Sequence, residues 1–299
     1  MLEDLTLESK NLPSDCQMNE LASLTNLQKS DFRRNGFIVV ENVLKEEEIQ
    51  NFKKIISRLD KEEKIHRHGD LKGFERKPGE KLILRNAIKF DDSFLNLMVH
   101  PKVFPLIVDL MGPHIALMTS HLFQRPPTKD VAVDSFKQIG WHRDGACNGS
   151  PSENGIFPWM YTKIGFSFTD LVENENAGPL QIIPGSHRYD GELPIEKGSL
   201  KPYGAIDVKL KAGSAVIFDN RIFHSVGANT SDINRENIYF GYGWRNLRPI
   251  DGGDVSKELM DRCTPIQKQL LGFITDELSY YLPEECDVPL IAWNQKRKQ

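Results

Sequence analysis

Between residues 114 and 244 the chain passes through short β-rich stretches set apart by Gly, Pro, Asn and Asp, and helical patterns almost vanish. The stretches fall at 114–124, 138–144, 161–170, 179–184, 206–208, 214–218, 222–226 and 237–244. Runs of that length and spacing pair with one another and close into a sandwich or barrel, because a half-apolar strand buries its face only against other strands. Helical patterns flank this block. Leu44, Ile49, Phe52, Ile55, Ile56 and Leu59 recur among acids and lysines, which predicts an amphipathic helix over 45–60. Before it, Ser30 to Gly36 reads as a short capped helix ended by glycine, and residues 37–40 as an apolar strand. Apolar residues from Phe94 to Leu110 predict helices over 92–111, broken near Pro101. Leu259, Met260, Ile266, Leu270, Ile274 and Leu278 predict a helical segment over 255–280, packed on the outside.

A chain of 299 residues can bury one large core or at most two modest ones, and one domain with terminal additions is the favoured reading. The expected organisation is a weakly patterned leader over 1–27, one domain over 28–250 and a helical extension over 251–299. A net charge of -4 gives no broad basic field, so neither nucleic acid nor an anionic membrane is an expected partner. Neither a signal-peptide pattern nor an apolar stretch long enough to span a bilayer is visible, so a soluble, cytoplasmic protein is expected. Cys16, Cys147, Cys263 and Cys286 are scattered without a CxxC pair, which argues against structural zinc or a disulfide framework and fits a reducing compartment.

His142 and Asp144 stand one residue apart, so on an extended strand both side chains project to one side and Arg143 to the other. Two neighbours on a strand do not cover a triangular face of an octahedral ion, so a third ligand has to come from a distant segment. His224, at the end of a β-rich run, is the best supplier. Two imidazoles and one carboxylate suit Fe(II) and leave three positions for a bidentate co-substrate and dioxygen. Arg235 follows His224 by eleven residues and immediately precedes an aromatic strand. A guanidinium there offers a distal carboxylate a bidentate, permanently charged partner. The competing reading is a surface ion pair with Glu236 or Asp232. His66 and His68 also share a His-x-His spacing, but within the charged stretch 61–79 they read as part of a solvated loop.

Several further segments carry a resemblance. They are FRRNGFIVVENVL (32–44), the helix from Pro101 to Gly112, HLFQRPP (121–127), GWHRDG (140–145), NAGPLQIIPGSH (176–187) and HSVGANTSDINR (224–235). In residues, order and separation the chain resembles, over roughly residues 28 to 248, the phytanoyl-CoA dioxygenase family of Fe(II)- and 2-oxoglutarate-dependent oxygenases. The resemblance implies a mainly β fold with flanking α, built on a double-stranded β-helix (jelly-roll, cupin-like) core with N-terminal and C-terminal helices. It implies that His142, Asp144 and His224 form the catalytic iron centre and that Arg235 grips the C5 carboxylate of 2-oxoglutarate. Around that co-substrate it places Arg85, with Lys89 as the nearby alternative, then Gln124, Thr169, Ser167 or Phe168, and His121. His187 belongs to the Pro-Gly-Ser-His corner and reads as a turn stabiliser rather than a ligand.

The implied reaction uses Fe(II), 2-oxoglutarate and O2, releases succinate and CO2, and hydroxylates a C–H bond; desaturation, epoxidation and ring formation are related outcomes. In the related halogenases a small residue replaces the carboxylate ligand, so Asp144 disfavours halogenation. Residues 146–161 read as a lid, and Trp141, Arg143, Phe157, Trp159, Trp244 and Arg245 as substrate contacts, with core packing as the competing reading for the aromatics. Arg143 would need a twist at the strand end to face the iron side. No distinctive cation cluster for a coenzyme A thioester stands near the lid, so the expected substrate is a free small molecule, such as an intermediate of a specialised biosynthetic pathway. The alternatives are an acyl-CoA 2-hydroxylase; a metal-binding or sugar-binding cupin-like module without oxygenase activity, which a missing ligand or a missing carboxylate clamp would indicate; and a cupin-type metalloenzyme without 2-oxoglutarate, which typically uses more histidines and has no need of Arg235.

Overall fold

The structure is a computed structural model and describes residues 22–67, 71–128, 140–144, 158–189, 202–251 and 255–299. Its β-rich block forms two antiparallel sheets. The strands are β1 (Phe37–Val40), β2 (Leu82–Arg85), β3 (Ile115–Arg125), β4 (Tyr161–Ser167), β5 (Leu180–Ile182), β6 (Ile206–Val208), β7 (Ala215–Asp219), β8 (His224–Val226) and β9 (Arg235–Trp244). The larger sheet has the order β1-β7-β4-β9-β3-β2, and the smaller β6-β5-β8. Together they make the jelly-roll of a double-stranded β-helix.

Alternation along the strands sorts residues onto two faces with different fates. The outer face of the large sheet presents Ile38, Leu84, Leu122, Ile164, Phe166, Ile217, Ile238, Phe240 and Tyr242 to one apolar core. Helices α2 (Glu46–Glu62), α3 (Asp92–Leu97) and α4 (Phe104–Met111) cover it. Phe52 of α2 stacks on Phe94 at 5.9 Å and on Phe168 at 4.9 Å, and Phe104 lies 5.7 Å from the Tyr242 ring. Each such side chain contributes about 1.5–3 kcal/mol by leaving water. The inner face instead meets the small sheet: Val216 and Phe218 pack with Leu180, Ile182, Val208, Leu210 and Ile222, and Phe37 and Tyr239 lie against them. That apolar plug closes one part of the barrel and leaves the polar inner residues of β3, β4 and β9 gathered in the rest.

Gly165 shows how closely the inner face is fitted. A Cβ there would lie 2.2 Å from Cε1 of Tyr239, its cross-strand partner on β9. Gly165→Ala should therefore destabilise the fold by about 1–3 kcal/mol, as overpacking does, read as a lowered midpoint in chemical denaturation; an unchanged midpoint would mean that the Tyr239 ring moves aside freely.

Glu236 faces the helix-covered side. Burial raises its carboxyl to about 7, with Lys53 opposing and Asp60 reinforcing the shift. A folded-state value above the unfolded one means the acid is accommodated best when protonated: its contribution is fully present below about pH 4.5 and is lost as pH rises through 7. Glu236→Gln should therefore raise stability at pH 8 by on the order of 1–2 kcal/mol and change it little at pH 4, measured by denaturation at both values.

The first helix, α1 (Asn26–Asn35), starts four residues before the expected Ser30, because Thr25 and Gln28 form a capping box. It ends where expected, at Gly36 with φ 83°. Gly36 also needs to lack a side chain, since a Cβ would stand 2.5 Å from Nδ1 of His187. Nε2 of His187 lies 3.1 Å from the Arg33 carbonyl oxygen, so this histidine fixes the corner against α1.

At the C-terminal end the single helical pattern of 255–280 proves to be broken. Thr264 caps, and Pro265 begins, a new helix, giving α5 (Lys257–Asp261), α6 (Pro265–Leu270) and a 3-10 turn at Glu277–Tyr280. A further helix, α7 (Leu290–Arg297), falls within the helical extension expected over 251–299, beyond the apolar pattern that ended at 280. Its Arg297 makes a buried ion pair with Asp109 at 2.5 Å. Leu259, Leu270 and Leu290 join the same core as the large sheet. Of the leader, residues 1–21 lie outside the described residues. Among the described residues no helix is long and apolar enough to cross a membrane.

Candidate metal centre and co-substrate pocket

The expected strand over 138–144 is not a strand in its described part, residues 140–144. It is one bridge, with His142 N–H donating to the His224 carbonyl at 3.1 Å and His224 N–H to the His142 carbonyl at 3.0 Å. Two residues on, Asp144 N–H donates to Asn220 O at 2.8 Å and the Asn220 side-chain amide donates back to Asp144 O at 3.1 Å. Among the described residues the segment is pinned at both ends of the His142–Asp144 pair, by β8 and by the turn before it.

Alternation nevertheless holds. Ligand atoms of His142, Asp144 and His224 lie within 4.8 Å of one another. Nε2 of His142 is 3.6 Å from Asp144 Oδ1, and Nε2 of His224 is 3.5 Å from Asp144 Oδ2. Each imidazole is oriented through its other nitrogen: Nδ1 of His142 meets Gly140 O at 2.6 Å and Nδ1 of His224 meets Ile222 O at 3.0 Å. A backbone acceptor at Nδ1 selects the tautomer whose Nε2 lone pair is free for a metal. Burial pushes His224 down to about 4 against the pull of Asp144, so its imidazole is neutral near pH 7. Burial also opposes charge on Asp144 and His142, but it loses at both. Lys163, His224 and His142 hold the Asp144 carboxyl well below the usual range, and Asp144 with the Gly140 carbonyl raises His142. Two neutral-capable imidazoles and an ionised carboxylate on one triangular face are a donor set that fits Fe(II).

Lys163 is the residue that sequence reasoning missed. Its Nζ lies 2.6 Å from Asp144 Oδ2, and it stands on the inner face of β4, a strand buried throughout. No signal in the sequence marked it, because a lysine between Thr162 and Ile164 reads as solvent-facing until both faces of β4 prove to be covered; once buried, a lysine is almost never left unpaired.

Arg235 begins β9 and is buried. It lines a small cavity with Ser167, Asn237 and Tyr239. One guanidinium nitrogen donates to Gly178 O, and Nε finds no acceptor. Neither Glu236 nor Asp232 pairs with it among the described ion pairs, so the surface ion-pair reading fails. Burial and the neighbouring Arg125 lower Arg235 to about 9 against the opposing Tyr239, which still leaves it charged at neutral pH.

The other expected pocket residues divide. Ser167 lines the cavity while its hydroxyl donates to Thr169 O at 2.7 Å. Phe168, the alternative at that place, is in the core against Phe52. His121 and Arg85 are cross-strand partners, with Nε2 of His121 2.6 Å from Asp251 Oδ1 and Arg85 exposed at the sheet edge. Lys89, the alternative to Arg85, is exposed on the 3-10 turn that follows β2. Gln124 is corrected: it pairs with Leu82 and Glu236, and alternation puts it on the helix-covered face, opposite to Phe123 and Arg125. Thr169 is corrected as well, because its hydroxyl accepts from Glu236 N–H at 2.9 Å and donates to Asn234 O at 3.2 Å, bracing the start of β9.

Among the expected substrate contacts, Arg143 turns away from the His142–Asp144–His224 cluster. It lies over the Phe223 ring at 4.1 Å and donates to the carbonyls of Arg221, Ser186 and Tyr189, so it ties the corner together. Trp159 and Trp244 pack against the outer core, 6.4 Å apart, with the Trp244 indole donating to Trp159 O. Arg245 lies over Tyr280 and donates to Ser279 O. All four are engaged in packing or in bonds to backbone carbonyls. Trp141 is half-buried beside His142, and Phe157, with most of the expected lid, lies outside the described residues. His66 stands 3.6 Å from Glu80 on its loop, and His68 also lies outside the described residues.

A jelly-roll that carries a two-histidine, one-carboxylate face is the architecture of non-haem iron oxygenases. Comparison with known proteins narrows this: the family model for phytanoyl-CoA dioxygenase (PhyH) matches residues 32–237, and the chain belongs to that family. It is an Fe(II)- and 2-oxoglutarate-dependent oxygenase that takes O2 as the oxidant. It is 22% identical to the peroxisomal phytanoyl-CoA dioxygenase of Bos taurus over 272 residues, 82% of this chain and 77% of that one. To the ectoine dioxygenase of Bordetella bronchiseptica it is 27% identical over 251 residues, 72% of this chain and 74% of that one. Among solved structures, HygX from Streptomyces hygroscopicus with nickel and 2-oxoglutarate bound superposes with a TM-score of 0.59 at 18% identity, covering 80% of this chain and 94% of that one. The carbocyclase SnoK from nogalamycin biosynthesis gives 0.57 at 20% identity, covering 81% and 91%.

Proposed function

We propose that this chain hydroxylates an unactivated C–H bond of a free small molecule, with His142, Asp144 and His224 holding Fe(II) and Arg235 holding the distal carboxylate of 2-oxoglutarate. The observation that carries the reading is the face of three ligand atoms within 4.8 Å, each histidine already turned by a backbone carbonyl. When bound, the iron couples oxidative decarboxylation of 2-oxoglutarate to succinate and CO2 with oxidation of the substrate. The chain's own part is placement. Gly140 and Ile222 carbonyls fix the imidazoles, Asn220 fixes the backbone of Asp144, and Lys163 keeps its carboxylate ionised. Arg235 orients the co-substrate from inside the barrel, where low exposure strengthens a charge-assisted bond. With Asp144 occupying the carboxylate position, the site favours hydroxylation over halogenation.

A second reading concerns the substrate. Lys29, Arg33 and Arg34 of α1 and Arg188 of the corner line one surface cleft, a cation cluster that the sequence did not reveal. Such a cluster favours a phosphate-bearing substrate, as in an acyl-CoA 2-hydroxylase. The deciding experiment is succinate release across a panel that pairs free acids and small metabolites with acyl-CoA thioesters. Turnover of a free compound supports the first reading, thioester turnover supports the second, and no O2-dependent succinate with any compound, or without one, counts against both.

A further inference from the structure

Arg235 does not stand alone at its end of the barrel. The β3–β9 register sets Arg125 directly across from it. Alternation puts both on the inner face, the one carrying Phe123 and Tyr239, whose rings meet at 5.9 Å. Residues directly opposite on neighbouring strands hold their Cβ atoms about 4.5–5.5 Å apart, and like charges so placed repel. Here the repulsion is poorly screened, because Arg235 is buried and Arg125 half-buried. Each leaves a buried Nε without an acceptor. Among the described residues no carboxylate lies within ion-pairing distance of either.

That arrangement departs from how this chain treats its other buried cations. Arg76 is paired with Asp60, Arg297 with Asp109 and Lys163 with Asp144. Arg143 has three carbonyl acceptors. Two facing guanidiniums without an anion are expensive to keep unless an anion arrives from outside. A carboxylate has two oxygens and about four lone-pair sites, enough to accept from two forked donors at once.

We propose that Arg125 is a second binding residue for the distal carboxylate of the co-substrate, facing Arg235 across it. The inference rests on the reading of Arg235 given under the proposed function. Selectivity for a dicarboxylic 2-oxo acid is then built from two guanidiniums on adjacent strands. Burial lowers the pKa of both, in keeping with a site whose charge is satisfied only by a ligand.

The test uses the full chain loaded with Fe(II) without oxygen, titrated with 2-oxoglutarate and, separately, with 2-oxopentanoate. The second acid chelates iron through the same keto acid and has a methyl in place of the distal carboxylate. Arg125→Met should raise the Kd for 2-oxoglutarate about 10- to 100-fold, the worth of a lost charge-assisted bond. It should leave the Kd for 2-oxopentanoate within about threefold. The melting temperature of the unliganded variant should equal or exceed that of wild type, because a repulsive pair has been relieved. Arg125→Lys keeps the charge without the fork and should fall between wild type and Arg125→Met, which also serves should the methionine variant fail to fold. Equal weakening of both acids would show that Arg125 only packs the pocket, and an unchanged 2-oxoglutarate Kd would show that it does not touch the carboxylate; either overturns the inference and leaves Arg235 in place. Absence of the chelate band in wild type with both acids would overturn the proposed site and the inference with it.

Discussion

His224→Ala should lose Fe(II) binding by at least about a hundredfold, beyond the 10–100-fold that loss of a mere supporting partner costs a metal site. In the proposed centre His224 is one of three ligands, and its loss leaves only His142 and Asp144, of which residue 142 is held to β8 by a single bridge. The backbone of residue 224 keeps its bonds to residue 142 whatever the side chain, so the fold should survive. Equilibrium dialysis against Fe(II), with the melting temperature as a control for folding, reads the effect. Retained iron at wild-type affinity would move the third ligand elsewhere.

Arg235→Met should weaken 2-oxoglutarate binding by about 2–5 kcal/mol, roughly thirtyfold to several thousandfold, as truncating one partner of a buried charge pair does. The size follows from burial: the guanidinium is cut off from water, and beside the nitrogen that donates to Gly178 O its Nε is left unsatisfied and open to a carboxylate. Iron affinity measured without co-substrate should be unchanged, which separates the clamp from the metal face. Lysine at this position should recover only part of the loss, because an ammonium lacks the planar fork.

Much of the site was legible because its chemistry is local in sequence. The His-x-Asp spacing needs only strand alternation to put both ligands on one side, and the same alternation turns Arg143 away, as it does here. The strand runs at 206–208 and 214–218 were legible because turn residues bound them on both sides. What failed was register. Gln124 and Arg125 are neighbours, and one residue of register decides which of them faces the barrel; only the pairing of Arg125 with Arg235 settles it. Thr169 sits two residues beyond Ser167, yet β4 has ended there, and its hydroxyl serves β9. Trp159 and Trp244 look like pocket walls in a sequence, but aromatic residues serve a core equally well, and their neighbours decide. Lys163 was hidden for the opposite reason: a lysine between threonine and isoleucine reads as solvent-facing until both sides of the strand prove to be covered.

In the proposed function one site holds Fe(II) on His142, Asp144 and His224, with 2-oxoglutarate beside it. An anaerobic titration of the Fe(II)-loaded protein with 2-oxoglutarate tests it most directly, through the weak visible charge-transfer band of the chelate. The account predicts a band that saturates at one co-substrate per chain, vanishes in His224→Ala and needs far more 2-oxoglutarate in Arg235→Met. No band in wild type, or the same band in His224→Ala, would contradict it.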